Sequence, residues 1–361
     1  VLYTGNGSTQ AITGAGFQPD LTWIKVRSAN ANNGLFDSVR GVQNSLISNA
    51  TTQARTAGAA TEDLYAWGSD GFSVGVGADP DTSYINCNVD TATYVSWNWK
   101  AGGAPTATNS AGAGATPTAG SVKIDGSNLG SALAGTIPAT KLSANTTSGF
   151  SIVTYTGTGV SGATVAHGLS VAPTFGVVKS IDQTDQNWIV GDTPLHSNWE
   201  KYLKLDTNVA VADSTVIWND TPPTPSVFSL GNDDVNNKSS GTYVAYLFSS
   251  IEGYSKVGIY EGNNNADGPF VYTGFKPAYV MVKNIDNAGD WQIYDNKRAG
   301  YNPKNYVLYP NNNSEEDTAV EDMDLVSNGF KLVRAANPFN QSYTYTYIAF
   351  ADSPFKTANA R

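Results

Sequence analysis

Pro19-Asp-Leu-Thr-Trp-Ile-Lys25, Pro173-Thr-Phe-Gly-Val-Val-Lys179 and Pro277-Ala-Tyr-Val-Met-Val-Lys283 are one phrase written three times: a proline, a β-prone run and a lysine six positions on. Each copy is framed by further landmarks. Upstream, Tyr3-Thr-Gly-Asn-Gly, Tyr155-Thr-Gly-Thr-Gly and Tyr260-Glu-Gly-Asn precede their prolines by 16, 18 and 17 residues. Downstream, Phe72, Phe228 and Phe330 follow their lysines by 47, 49 and 47 residues. Each copy closes on a Thr-Tyr-rich strand, aligned as Thr93-Tyr-Val-Ser-Trp-Asn-Trp99, Thr242-Tyr-Val-Ala-Tyr-Leu-Phe248 and Thr346-Tyr-Ile-Ala-Phe350. Ordered landmarks at near-fixed spacing define three homologous modules, each about the size of one small domain.

Short runs of Val, Ile, Tyr, Phe, Trp and Thr alternate with Gly, Asn, Asp, Ser and Pro, the residues of turns and positive φ. That pattern predicts an all-β chain of three tandem β-sandwich modules of jelly-roll or lectin-like type. In the third module the expected strands are 270–273, 278–284, 290–295, 305–309, 329–333 and 343–350. The best helical signal, Asp37 to Leu46, is ambiguous because of Gly41, so little helix is expected.

The boundaries follow from the repeat. Module 1 covers 1–100, module 2 covers 148–253 and module 3 covers 254–361. Tyr3 and Tyr155 lie 152 residues apart but Tyr155 and Tyr260 only 105, so 101–147 is an insertion after the first module. Its Gly/Ala/Thr/Pro-rich composition reads as a linker of flexible to partly extended character, with a more apolar second half from Val122 to Leu142 lying against a neighbouring surface. On this reading modules 2 and 3 form a compact pair and module 1 stands apart.

Composition removes several functions. A net charge of −10 without a basic run argues against nucleic acid, which demands a basic surface. No apolar stretch approaches the length of a membrane helix, so no membrane insertion is expected. Cys87, the single cysteine, excludes an intrachain disulfide and a cysteine-based zinc site, and reads as a small buried hydrophobe.

The chemistry-bearing residues are sparse. His167 and His196 are the only histidines, and no Gly-x-Ser-x-Gly elbow accompanies them. Gly157-Thr-Gly159-Val-Ser-Gly162 matches a dinucleotide fingerprint by letter, but a β-like run follows it rather than a helix, so it reads as a turn. Glutamates show no alternating acid pattern of the kind glucanases carry on one strand. The acidic stretch Glu315-Glu-Asp317, Glu321, Asp322 and Asp324 has no calcium-loop spacing and reads as a solvated loop, and neither metal nor cofactor is expected. Asp37-x-x-Arg40 recurs as Asp295-x-x-Arg298, while module 2 keeps Asp192 without the arginine, which suits structural bridging. Trp188 and Trp291 align and read as core. Trp199 and Trp218 have no counterpart in module 3, and with the neighbouring His196 they are the weak candidates for ligand binding, because aromatic faces stack on sugar rings.

Tyr-Thr-Gly-Asn-Gly-Ser (3–8), Gly-Phe-Gln-Pro-Asp-Leu-Thr-Trp-Ile-Lys (16–25), Leu-Phe-Asp-Ser-Val-Arg-Gly (35–41), the stretch Ser143 to Gly157 and Pro-Phe-Lys-Thr-Ala-Asn-Ala-Arg (354–361) resemble a repeat family common in predicted virion proteins of marine tailed phages. The resemblance spans nearly the whole chain, although 122–142 departs from the shorter spacer of that family. It implies a particle component on the virion surface: a tail fibre, head appendage or decoration protein, extracellular when released, with other virion proteins as partners. It also implies a homo-oligomer, with a trimer favoured, and it transfers no catalytic residue. Non-enzymatic structure with possible host polysaccharide binding is the leading expectation. A polysaccharide depolymerase on a lectin-like sandwich and a cellular surface-layer or filament subunit are the alternatives.

Overall fold

The computed structural model describes residues 1–77, 85–304, 306–319, 322–335 and 338–353. It is all-β, with two four-residue helices, Thr215–Trp218 and Asp234–Asn237, both in module 2. No helix among the described residues is long and apolar enough to cross a membrane.

The three modules repeat one large sheet. Its order is opening strand, closing strand, proline-lysine strand and acid strand, all antiparallel. The opening strands are Leu2–Thr4, Phe150–Thr156 and Ser255–Glu261; the closing strands are Thr93–Trp99, Thr242–Phe248 and Thr344–Ala351. The proline-lysine strands are Leu21–Val26, Phe175–Ser180 and Pro277–Asn284, and the acid strands Gly34–Asp37, Ile189–Asp192 and Gln292–Asp295. Register fixes the equivalences: Leu21 faces Trp99, Phe175 faces Phe248 and Tyr279 faces Phe350. The third closing phrase therefore begins at Thr344, two residues before the Thr346 chosen by letter matching.

A smaller sheet covers one face of each large one, and the space between holds that module's own core: Phe36, Phe72 and Tyr94 in module 1, Tyr155, Trp218 and Phe228 in module 2, Tyr294, Phe330 and Tyr345 in module 3. The second face of each large sheet is equally apolar, because alternate residues of a strand point to opposite sides. Those second faces meet. Trp23 and Trp99, Trp188 and Phe248, and Met281 and Phe350 belong to one shared cluster drawn from all three modules. Module 1 does not stand apart: three sandwiches lean on a common axial core. The proline-lysine strands of modules 1 and 2 are buried along their full length for this reason, as sheets covered on both faces are.

Nor is 101–147 a loose tether. Val122–Ile124 pairs parallel with Ala139–Asn145, which pairs antiparallel with the opening strand of module 2 and extends that sheet to nine strands. Leu133, Ile137, Ala139 and Leu142 enter the module 2 core, which the Val122 to Leu142 composition anticipated. In the third module Met323–Val326 is a strand beyond those expected, and 307–308 form only isolated bridges; Asn305 lies outside the described residues. Asp37 to Leu46 is strand, turn and strand, with Asp37 Oδ1 accepting the Val39 and Arg40 N–H groups.

Candidate functional site

The repeat lysines are completely buried. A buried ammonium demands acceptors, and each lysine finds them on two modules at once. Lys25 Nζ donates to Ala31 of its own module and to Asn313 O of module 3 at 3.1 Å. Lys179 Nζ donates to its own Gln186 O at 2.5 Å and to Thr51 O of module 1 at 3.0 Å. Lys283 Nζ donates to its own Asn284 O at 2.6 Å and to Asn208 O of module 2 at 3.3 Å. The direction is cyclic: 1 to 3, 3 to 2, 2 to 1. Burial pulls Lys25 down to about 7 and Lys179 and Lys283 down to about 8, with Asp206 and Asp290 pulling the latter two back upward.

The position four before each conserved aspartate follows the same circuit. Trp188 Nε1 donates to Ile47 O of module 1 and Trp291 Nε1 to Lys204 O of module 2, both at 2.9 Å, while Asn33 Nδ2 donates to Asn312 O of module 3 at 3.0 Å. The aspartates close the far side of each seam. Asp37 accepts from Tyr246 Oη at 2.7 Å, Asp295 from Trp97 Nε1 at 3.0 Å, and Asp192 from Thr346 Oγ1. Tyr246 and Trp97 share one register position, where module 3 has Ile348, which cannot donate; Thr346, two residues earlier on the same face, donates instead.

Three modules in a ring have three seams. Two are crossed by the chain. Lys100 to Gly103 reaches module 2, where Ser143 Oγ donates to Gly103 O at 2.8 Å, and Ser249 to Tyr254 passes from module 2 to module 3. The residue after each repeat proline receives the crossing: Asp20 Oδ2 accepts the Ala101 N–H at 2.8 Å and Thr174 Oγ1 the Ser250 N–H at 3.0 Å. The third copy has Ala278 there, which has no side-chain acceptor. Among the described residues no connecting segment of the chain runs across the seam between modules 3 and 1, which hydrogen bonds bridge instead, and a groove of about 470 Å³ lies along it.

The groove has an aromatic floor. Trp97, Tyr279, Trp99 and Phe350 form a chain of edge and tilted contacts with centroids 5.7–5.8 Å apart. Asn98, Asn296, Lys297 and Asp352 supply polar walls. Of its carboxylates, Asp295 is committed: Arg298 Nε lies 2.6 Å from Oδ2, and Oδ1 accepts the Lys297 and Arg298 N–H groups. Burial works to raise Asp295, but Arg298 and these hydrogen bonds outweigh it and hold the carboxyl below its usual range. Asp352 accepts from Asn296 Nδ2 at 2.5 Å and lies 3.8 Å from Lys276. The four rings are largely buried in the shared core, at 6–8% exposure, so the groove offers a narrow apolar strip beside polar walls able to hydrogen-bond.

The sequence candidates lie elsewhere. Trp199 and Trp218 are not exposed binding faces: both are buried in the module 2 core, in edge contact at 5.0 Å. Trp199 lies flat on Gly176 and Gly191, where a Cβ would collide with its ring. Gly191 occupies the position of Phe36 and Tyr294, so Trp199 fills from outside the volume those rings fill in the other copies. That glycine was the available signal. His196 is partly exposed, caps its own loop through Asn198 and lies 2.7 Å from Glu200. His167 is buried, with Nδ1 accepting the Leu169 N–H and Nε2 facing Thr224 O, and burial lowers it to about 4. Pro19, Pro173 and Pro277 are buried at the entries of their strands. Glu316 joins Arg27 of module 1 and Arg298, at 2.7 and 3.1 Å, so this part of the acidic loop staples a seam; Glu321 lies outside the described residues. Among the described residues no group of three or more His, Cys, Asp or Glu could hold a metal ion.

No curated protein and no solved structure matches the chain. Residues 1–126 and 123–354 match the family described as a domain of unknown function (DUF7483), and the chain belongs to that family.

Proposed function

We propose that the chain is a non-enzymatic structural component of a virion, a fibre, head appendage or decoration protein, and that its open seam binds host surface glycans. The groove carries this reading. Its Trp97, Trp99 and Tyr279 floor beneath asparagine and lysine walls suits the alternating apolar and hydroxyl faces of a sugar, and about 470 Å³ accommodates one or two rings. Glycoside hydrolysis needs an acid and a second carboxylate on opposite sides of the bond, and Asp295 is already saturated by Arg298 and Trp97. The ring also supports a scaffold role, since one chain presents three equivalent modules about an axis without a disulfide. Neighbouring virion proteins of threefold arrangement suit such a body, whether they meet one chain or a homotrimer.

The test is tryptophan fluorescence or calorimetry with host polysaccharide, together with mass spectrometry of purified particles. Saturable binding that weakens in Asn98→Ala and Lys297→Ala, and co-purification with capsid and DNA, are expected. Absence from the particles removes the virion role, and release of reducing ends removes the non-enzymatic one.

A further inference from the structure

Modules 2 and 3 treat the same edge differently. Their opening strands, Phe150–Thr156 and Ser255–Glu261, are seven residues long and hold the same register, Tyr155 opposite Tyr243 and Tyr260 opposite Tyr345. In module 2 one extended stretch, 135–145, covers two edges at once. Ala139–Asn145 pairs with the opening strand, and the Thr136 and Ile137 N–H groups donate to Thr164 O, on the outer strand of the small sheet, at 3.0 and 2.9 Å. In module 3 the equivalent strands, Ser255–Glu261 and Phe270–Tyr272, are the outermost strands of their sheets.

The side chains differ accordingly. Thr154, beneath the covering strand, is 8% exposed, whereas its equivalent Ile259 is 46% exposed. Thr164 and Ala166 in module 2 are replaced by Phe270 and Tyr272, at 48% and 58% exposure. Val257 directs its N–H outward to Ser250 Oγ at 3.0 Å, and by the two-residue alternation of an antiparallel strand Ile259 and Glu261 face outward too. Ile251 takes the outward groups of Ser255 and Ser250 Oγ the outward N–H of Val257, so the open part of this edge is 259–261; without proline or bulge and flanked by exposed apolar side chains, it is a template for pairing.

We propose that this double edge of module 3 accepts an extended strand from another protein, running antiparallel to residues 259–261 of the opening strand, with small or aliphatic residues at alternate positions against Ile259, Phe270 and Tyr272. The stretch 135–145 is the template for that partner: near-neutral, with one lysine, and buried at Ile137, Ala139 and 142–144. A second copy pairing edge to edge through Ser255–Glu261 would satisfy one strand and leave Phe270 and Tyr272 uncovered, so a foreign segment fits better.

The test titrates a labelled synthetic peptide of residues 133–147 into the intact chain and follows fluorescence anisotropy. Saturable binding is expected, weakened at least ~10-fold by Ile259→Pro, which removes an outward N–H without touching the ladder to the closing strand. The double substitution Phe270→Ala with Tyr272→Ala, at exposed positions, leaves the melting temperature unchanged and weakens binding by a similar factor. The proposal is overturned by affinity unaltered in both variants, by no saturation up to ~1 mM peptide, or by a dimer in sedimentation that Ile259→Pro dissolves.

Discussion

Asp192 and Asp295 hold the same position on the same strand of two modules, both buried, both facing a donor across a seam. Their carboxyls are shifted in opposite directions. Asp295 has Arg298 three residues on and lies below the usual carboxyl range; Asp192 has Leu195 there, and burial pushes it up to about 7. One repeat therefore builds its seams in two ways, by an ion pair where an arginine is present and by a near-neutral acid where it is not. Geometry is copied, while the charge state is set by one neighbour.

The harshest way to break this comparison is Arg298→Met. It strands the Asp295 carboxylate in the interior and leaves Glu316 with Arg27 alone, and should cost about 3–5 kcal/mol in denaturant unfolding. A loss under about 1 kcal/mol would mean that the arginine is ornamental.

The lysine ring comes next in size and is read through pH. Lysine titrates near 10.5 when unfolded and near 7–8 when buried here, so above pH 8 the unfolded chain binds more protons than the native one. Stability should therefore rise between pH 8 and 9.5, by roughly 1 kcal/mol per pH unit for each lysine, until unfolded tyrosines begin to ionise. Lys25→Met should flatten the slope by about a third. A melting temperature that falls across this window contradicts the burial of these ammonium groups.

How far the sequence disclosed this is instructive. The repeat, the strand class and the buried Trp188 and Trp291 were legible, because they depend on local spacing and residue type. The ring was not. Each phrase contained its own warning, a lysine at one register inside an apolar run in all three copies, and Leu21-Thr-Trp-Ile-Lys25 is apolar on both faces. Assigning one core to each module left the second face unexplained. The partners that cover it lie 75 to 288 residues away, and no periodicity encodes them. The socket of Trp199 is hidden for the complementary reason: it is a missing side chain at Gly191.

Asp192→Asn sharpens the comparison more gently. A carboxyl raised to about 7 contributes stability fully present below pH 3.8 and lost as pH rises through 7. The asparagine variant should match the parent to within about 1 kcal/mol at pH 5 and lose less stability between pH 5 and 8. Equal slopes in the two proteins would return Asp192 to the ionised class. The smallest effect belongs to Lys297→Ala at the open seam, where stability should hold within about 0.5 kcal/mol while glycan affinity drops.

The circuit of donors also orders assembly in time. Lys25 and Arg27 emerge early in synthesis, yet their partners Asn313 and Glu316 follow almost 290 residues later. At about 5–20 residues per second the first module spends roughly 15–60 s with Lys25 lacking its module 3 acceptor and the seam face of Trp97 uncovered. The second module can dock in the interval, but the loop closes only when the last has been made. Ring closure thus waits for the end of synthesis, and a product truncated within its third module leaves the shared core without Met281, Ile348 and Phe350.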